Sequence, residues 1–286
     1  MKLPPFEYAC PATLDEAIAL LASRDGDAKA ISGGQSLMPI LAFRLASPSL
    51  LVDLKKLKGL DQIKIDASGI TLGAKVSWRQ IEDDKRLATA HPLLQEMISH
   101  VAHYQIRNRG TVGGSIAHAD PAAEMPGFSV TCDAKIVVKG SSGERIIPAG
   151  EFFEGPLMTV LEADELITEI RLPPWPAARR WGMLEFARRR GDFAMGGVAV
   201  FYDLDAQGRA VDAHVGVIGA GSIPHRVPGA EAAINGTTVD ETAILAAAKA
   251  AAAGVEPLTD IHASAAYRRN LISVLLERAL RAAVAR

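Results

Sequence analysis

Ser32-Gly33-Gly34-Gln35-Ser36 and Arg109-Gly110-Thr111-Val112-Gly113-Gly114-Ser115 are the two stretches whose residue types and spacing point to chemistry. Glycine has no Cβ, so its backbone turns with φ above zero and its N–H groups can approach a ligand closely. Consecutive N–H groups in such a turn form a concave nest for an anion. Hydroxyl side chains flank both turns, and a hydroxyl beside a phosphate donates a hydrogen bond. Two nests of this kind suit one diphosphate held from two sides. A single glycine pair would read as an ordinary turn. Here the second stretch runs on into His118-Ala119-Asp120-Pro121, which a plain turn does not require.

The elements that must position these turns are partly legible. Thr13-Leu14-Asp15-Glu16 reads as a capping box, with Leu14, Ala17, Ile18 and Leu21 at helical spacing behind it. A short strand from Lys29 to Ile31 delivers the first glycine turn, and Leu50 to Leu54 and Ile70 to Gly73 read as further strands. Ser77 caps a helix through Gln80, and Leu94, Met97, Ile98 and Val101 mark another. Residues 104–126 lack periodicity and read as a long functional loop. Pro173-Pro174-Trp175-Pro176 cannot continue a helix or a central strand, so a domain boundary falls there. Beyond it lie strands around 183–187, 197–204 and 213–218, with Asp205-Ala206-Gln207-Gly208 as a hairpin connection. Two helical runs close the chain, from Glu241 and from Ser264 to Val284. The last has a Tyr267, Leu271, Val274, Leu275 stripe, with Arg268 on the remaining surface.

Other candidate sites carry less. Val215-Gly216-Val217-Ile218-Gly219-Ala220-Gly221 imitates a dinucleotide fingerprint, but Pro224 and Pro228 leave no long helix to face a pyrophosphate. His100 and His103 share a helix face at i and i+3 but have no convincing third and fourth metal ligand. Arg188-Arg189-Arg190-Gly191-Asp192 reads as a solvated turn or as a contact to cofactor or partner. No His-Asp arrangement can be assigned to Ser36, Thr111 or Ser115, so no nucleophile and no catalytic residue is assigned.

Composition narrows the class. The 286 residues are 49% hydrophobic and 22% charged, a globular balance that can bury a sizeable core. A net charge of −2 makes no case for nucleic acid or an anionic membrane, and 5% aromatics make none for stacking single strands. Cys10 and Cys132 offer no disulfide framework and cannot ligate an iron–sulfur cluster by themselves. No basic, then apolar N-terminal segment and no membrane-length apolar run is visible, so a cytoplasmic protein is expected.

Four strings give the chain a family likeness: Pro4-Pro5-Phe6-Glu7-Tyr8 with Pro11-Ala12-Thr13, SGGQSLMPILAFRL at 32–45, HVAHYQIRNRGTVGGSIAHADPAAEMP at 100–126, and FARRRGDFA at 186–194. Over essentially its whole length the chain resembles the FAD-binding medium subunit of the molybdenum hydroxylases, with the quinoline 2-oxidoreductase type nearest in appearance. The resemblance implies an α+β fold: a two-part FAD-binding region of the vanillyl-alcohol-oxidase-like (PCMH) type over 1–175, divided near 57. A small C-terminal domain over 178–286, with an antiparallel sheet and helices, follows. It implies FAD contacts from Ser32, Gly33, Gly34, Gln35, Ser36 and Leu37, and from Thr111, Val112, Gly113, Gly114 and Ser115. His118 is placed at the flavin or its ribityl chain, Glu124 at the adenosine ribose where aspartate is more usual, and Ile167 beside the isoalloxazine. Many relatives carry a lysine near Glu185, and its absence leaves contacts from 184–190 out of the expected set.

The same resemblance implies a dimer of heterotrimers. A large subunit carries the molybdenum cofactor and hydroxylates substrate, an N-heteroaromatic compound by the nearest likeness. A small subunit carries two 2Fe–2S clusters, and this chain passes their electrons through FAD to an outside acceptor. The alternatives are a self-sufficient FAD-dependent oxidoreductase and a scaffold that has lost its flavin.

Overall fold

The computed structural model describes residues 2–286. The chain begins with β1 (Glu7–Ala9), α1 (Leu14–Ala22), β2 (Ala28–Ile31), α2 (Leu37–Ala42) and β3 (Leu50–Asp53). The strands form a parallel sheet in the order β1-β3-β2. Parallel neighbours need a crossover: α2 lies in the one joining β2 to β3, and α1 lies in the connection from β1 to β2 on the far side of β3. Helix α1 starts at the capping box: Thr13 Oγ1 accepts from Glu16 N, and Glu16 Oε2 accepts from Thr13 N, both at 3.3 Å. Ala17, Ile18 and Leu21 then pack on Leu50, Val52, Leu54 and Leu57. The payoff for the site is that β2 ends where the first glycine turn begins.

A second unit follows. Its strands are β4 (Ile63–Asp66) and β5 (Gly69–Gly73), then β6 (Lys135–Gly140), β7 (Gly143–Pro148) and β10 (Leu166–Leu172), with a small β8 (Phe153–Gly155), β9 (Met158–Thr159) hairpin. The main sheet is antiparallel in the order β4-β5-β10-β6-β7. Between β5 and β6 lie α3 (Trp78–Asp83), α4 (Leu87–Ala90), α5 (Pro92–His100), α6 (Tyr104–Arg107), α7 (Val112–His118) and α8 (Glu124–Thr131). Ser77 caps α3 in a second capping box with Gln80. The expected loop over 104–126 is corrected to helices α6, α7 and the start of α8. Helices of four to eight residues are too short to show a 3.6-residue period, and every residue of α8 is buried, which removes any polar face. His100 and His103 do not share a helix either, because Val101 leaves the helical conformation at the end of α5.

The C-terminal unit is an antiparallel sheet, β11 (Arg180–Phe186), β12 (Gly196–Leu204), β13 (Ala210–Ile218) and β14 (His225–Arg226), followed by α9 (Pro228–Ile234), α10 (Glu241–Ala253) and α11 (Ala265–Val284). The central strands are buried on both faces, as a sheet covered on both sides requires. Val198, Val200 and Tyr202 face the helices of the C-terminal unit, whereas Ala199 and Phe201 join the core beneath α5 and α8. Gly216 makes this second contact possible, since a Cβ there would fall 1.7 Å from Thr131 Oγ1. Arg268 is corrected from surface to core. It is buried on α11, its guanidinium bonded to Met195 O at 2.7 Å, Gly219 O at 3.2 Å and Asp260 Oδ2 at 2.7 Å. Tyr267, expected in the stripe, is exposed.

His91 stands between the units. Its Nδ1 accepts from Leu94 N at 3.2 Å to cap α5, and its ring lies 4.3 Å from Trp175 and 5.3 Å from Phe128. Burial pushes its pKa from 6.5 down to about 3. The unfolded chain therefore binds a proton that the folded chain refuses, and stability present above 6.5 is lost as pH falls toward 3. His91→Asn keeps a cap acceptor without the titration. Thermal melts across that range are expected to show a shallower acid limb for the variant than for the wild type; equal slopes would refute the assignment.

Candidate functional site

The two glycine turns meet backbone to backbone. A Cβ on Gly33 would sit 2.0 Å from the Arg109 carbonyl oxygen and 2.9 Å from Gly110 Cα, so only glycine lets the chains touch there. Thr111 Oγ1 adds a hydrogen bond to Ser32 Oγ at 3.1 Å across the same junction. The second turn is pinned from below: Trp78 N donates to Gly110 O at 3.2 Å, Val112 N to Val76 O and Gly113 N to Ala74 O, each at 2.9 Å. Thr111 also caps α7, accepting from Gly114 N at 3.3 Å.

The turns differ more than their sequences imply. In the first, Gly34 takes φ 72, and the N–H groups of five successive residues, Gly33 through Leu37, donate to no acceptor among the described residues. That is an anion-binding nest. In the second, Gly113 and Gly114 are helical and the N–H groups of residues 112–115 are all spent within the protein. The expected pair of nests is therefore one nest facing the smooth opening turn of a helix. Gly113 is required for packing, since a Cβ would meet Ala74 Cβ at 2.6 Å, and a Cβ on Gly114 would fall 2.8 Å from the Thr111 hydroxyl that caps α7.

A cavity of about 1260 Å³ opens from this junction and runs between the N-terminal and C-terminal parts of the chain. Ser32, Gly33, Gly34, Gln35, Ser36 and Leu37 line it, as do Thr111, Gly113, Gly114, Ser115, His118, Glu124 and Ile167. Val112 is a correction: its side chain is fully buried in the core and its N–H is bonded to Val76, so it shapes the turn from behind. Several lining residues lay outside the expected set, among them His103, Asp120, Phe193 and Arg268, together with Gly219 and Gly221 of the false fingerprint. Arg188, Gly191 and Asp192 line it too, and Gly191, at φ 86, rests against Ala102 and His103. The dense Arg-Gly-Asp run was the only signal for that loop; Arg268 had none, because nothing local distinguishes a buried helical arginine.

The C-terminal unit closes the cavity through main-chain bonds from Gly219 N to Pro121 O at 2.9 Å and Ala194 N to Ala122 O at 3.4 Å. Of the acidic residues here, Asp120 and Glu124 line the cavity and Glu185 does not. Burial, with the charge of Asp120 adding to it and only its own backbone N–H opposing, raises Glu124 to about 7. Burial and then the charge of Glu124 raise Glu185 to about 8. Burial lowers His118, with Asp120 opposing, so its ring sits neutral beside the cavity.

Comparison with known proteins decides the family. Residues 4–175 match the FAD binding domain in molybdopterin dehydrogenase, and residues 183–283 match the CO dehydrogenase flavoprotein C-terminal domain. The chain belongs to the FAD-binding medium subunits of the molybdenum hydroxylases. It is 41% identical to the nicotine 6-hydroxylase medium subunit of Paenarthrobacter nicotinovorans over all of both chains. Its fold matches carbon monoxide dehydrogenase from Hydrogenophaga pseudoflava with a TM-score of 0.96 at 36% identity, covering 100% of this chain and 99% of the other. Quinoline 2-oxidoreductase from Pseudomonas putida 86 gives 0.94 at 38% identity, with the same coverage. The α+β architecture, an FAD-binding region followed by a small C-terminal flavoprotein domain, is that of these subunits, and such subunits belong to oxidoreductase complexes.

The residues present fit FAD. The free N–H run at Gly33–Leu37 matches a diphosphate, and the exposed Gly114 lines the cavity beside it on α7. The junction predicts its own failure. Gly33→Ala must push the turns apart, costing about 1–3 kcal/mol by overpacking and lowering the flavin-to-protein absorbance ratio. Gly150→Ala, where nothing lies within 4 Å of the new Cβ, is expected to leave both unchanged. Equal flavin content in the two variants would mean that the junction does not hold the cofactor.

Proposed function

We propose that this chain is the electron-transferring FAD subunit of a molybdenum hydroxylase built as a dimer of heterotrimers. On this reading a small subunit with two 2Fe–2S clusters delivers electrons, and a large molybdenum-cofactor subunit hydroxylates the substrate. When bound, FAD would supply the redox chemistry between the clusters and an outside acceptor. The chain's own residues bind and orient it. Gly33, Gly34, Gln35, Ser36 and Leu37 hold the diphosphate through backbone N–H groups, with Ser32 and Ser36 hydroxyls beside them. Thr111, Gly113, Gly114 and Ser115 form the opposite wall. Glu124 receives the adenosine ribose hydroxyls, His118 stands at the flavin or ribityl chain, and Ile167 excludes water at the isoalloxazine.

The observation that carries this reading is the run of unpaired N–H groups facing α7 inside the cavity. An N-heteroaromatic substrate for the complex is supported by the names of two relatives, nicotine 6-hydroxylase and quinoline 2-oxidoreductase. A cytoplasmic site is supported by the two cysteines, which are free, one of them buried. No helix among the described residues is long and apolar enough to cross a membrane. The two cysteines also cannot supply the four ligands of a cluster.

The purified complex is expected to release about one FAD per copy of this chain on acid precipitation, identified by chromatography; FMN or no flavin would refute the reading. The chain by itself is expected to hold neither iron nor molybdenum by metal analysis. Stoichiometric iron, or flavin reduction by the complex's substrate in the isolated chain, would favour a self-sufficient oxidoreductase instead.

A further inference from the structure

β8 and β9 are joined by two residues, Pro156 and Leu157, with Gly155 paired to Met158 across the turn. Leu157 has φ 60, and after a proline this is the position that a tight turn gives to glycine or asparagine. A left-handed backbone crowds the Cβ against the following carbonyl oxygen, a strain that glycine would remove. One other large apolar residue has a positive φ, Val239 at 52. Val239 is 2% exposed in the C-terminal core, where its packing offsets the strain. Leu157 is 55% exposed, so packing within the chain gives no such return.

The side chain faces the site instead, because Leu157 lines the cavity. Its N–H donates to Ala119 O at 3.0 Å, and Ala119 ends α7 with a φ of 52. The strained turn is therefore tied to the end of α7 opposite Thr111, where the two glycine turns meet. The seven residues of α7 separate the two ends, by about 10 Å at the helical rise. A ligand whose diphosphate lies at the junction brings a ring system, not a phosphate, to Leu157. Pro156, Met158 and Leu161 of the same segment line the cavity too, as does Ile167.

We propose that Leu157 is a cofactor-contact residue: its side chain packs on the isoalloxazine of FAD, and the strained turn persists because it aims that side chain into the cavity. The inference rests on the FAD reading above, which puts His118, the neighbour of Ala119, at the flavin or its ribityl chain. Ligand cavities hold ring systems mainly through apolar side chains, and a leucine covers a ring face where a polar group would not. Backbone strain of this kind is kept where a function needs the geometry. Glycine at this position would suit the turn better than leucine and the cofactor worse.

The test uses the full chain, with any subunits that copurify, freed of FAD and titrated with it. Leu157→Gly and Leu157→Asn both accept a positive φ, whereas Leu157→Met keeps the strain and the apolar contact. Without FAD, Leu157→Gly is expected to melt no lower than the wild type. It is expected to bind FAD about tenfold more weakly, the loss of roughly half a leucine's burial. Leu157→Asn is expected to follow it, and Leu157→Met to stay nearer the wild type. At saturating FAD the visible absorption band of the bound flavin is expected to shift in Leu157→Gly, since the ring exchanges an apolar neighbour for water. Unchanged affinity would overturn the proposal, and so would weakened binding with an unshifted band, which puts the leucine elsewhere on the cofactor. A FAD-free Leu157→Gly that melts lower would make Leu157 a packing residue of the fold. Loss of copurifying subunits with FAD retained would make it a partner contact; either result overturns the proposal. A wild type that takes up no FAD would defeat the flavin reading itself, whereas uptake by the wild type and by Leu157→Gly alike would defeat this inference alone.

Discussion

The site depends on one contact, the approach of Gly33 to the Arg109 carbonyl. At that point two segments far apart in sequence touch without side chains between them. The first turn belongs to the small parallel sheet and the second to the helical insertion of the larger antiparallel sheet, so the contact also fixes how these two units meet. The Ser32–Thr111 hydrogen bond and the pinning of residues 110–113 on residues 74–78 hold the junction in place. A free nest then faces a helix start at a fixed distance. Preorganised donors of this kind hold an anion without the cost of ordering a loop at the moment of binding.

The C-terminal unit is a wall of the site as well as an appendage. Its sheet lies on α8, with Gly216 accepting Thr131 and the Gly219 and Ala194 amides reaching Pro121 and Ala122. Arg268 draws the start of β12, the loop after β13 and the 260 loop together behind that wall. Closing the cavity this way leaves Glu124 buried at its wall.

The glycine motifs show how one pattern can serve different physics. Gly34 is needed for its backbone angle, Gly33 and Gly113 for close packing, and Gly114 for room beside the Thr111 hydroxyl that caps α7. All four read alike in the sequence, where each is simply a residue without a Cβ. Only the neighbours distinguish them.

The sequence by itself determined the features whose causes are local. Both capping boxes, the strands around the first turn, the C-terminal hairpins and the two closing helices follow from residues within a few positions of one another. The family likeness added the FAD-binding class, because its long strings are specific. Tertiary structure decided what depends on distant partners. The short helices α6, α7 and α8 have no readable period because they are brief or buried all round. Val112 turned into the core, Arg268 left the surface, and the false fingerprint at Gly219–Gly221 came to line the cavity because its strand ends there. Glu124 is the clearest case: it is an ordinary carboxylate in sequence, and its burial at the cavity wall is a property of the folded chain alone.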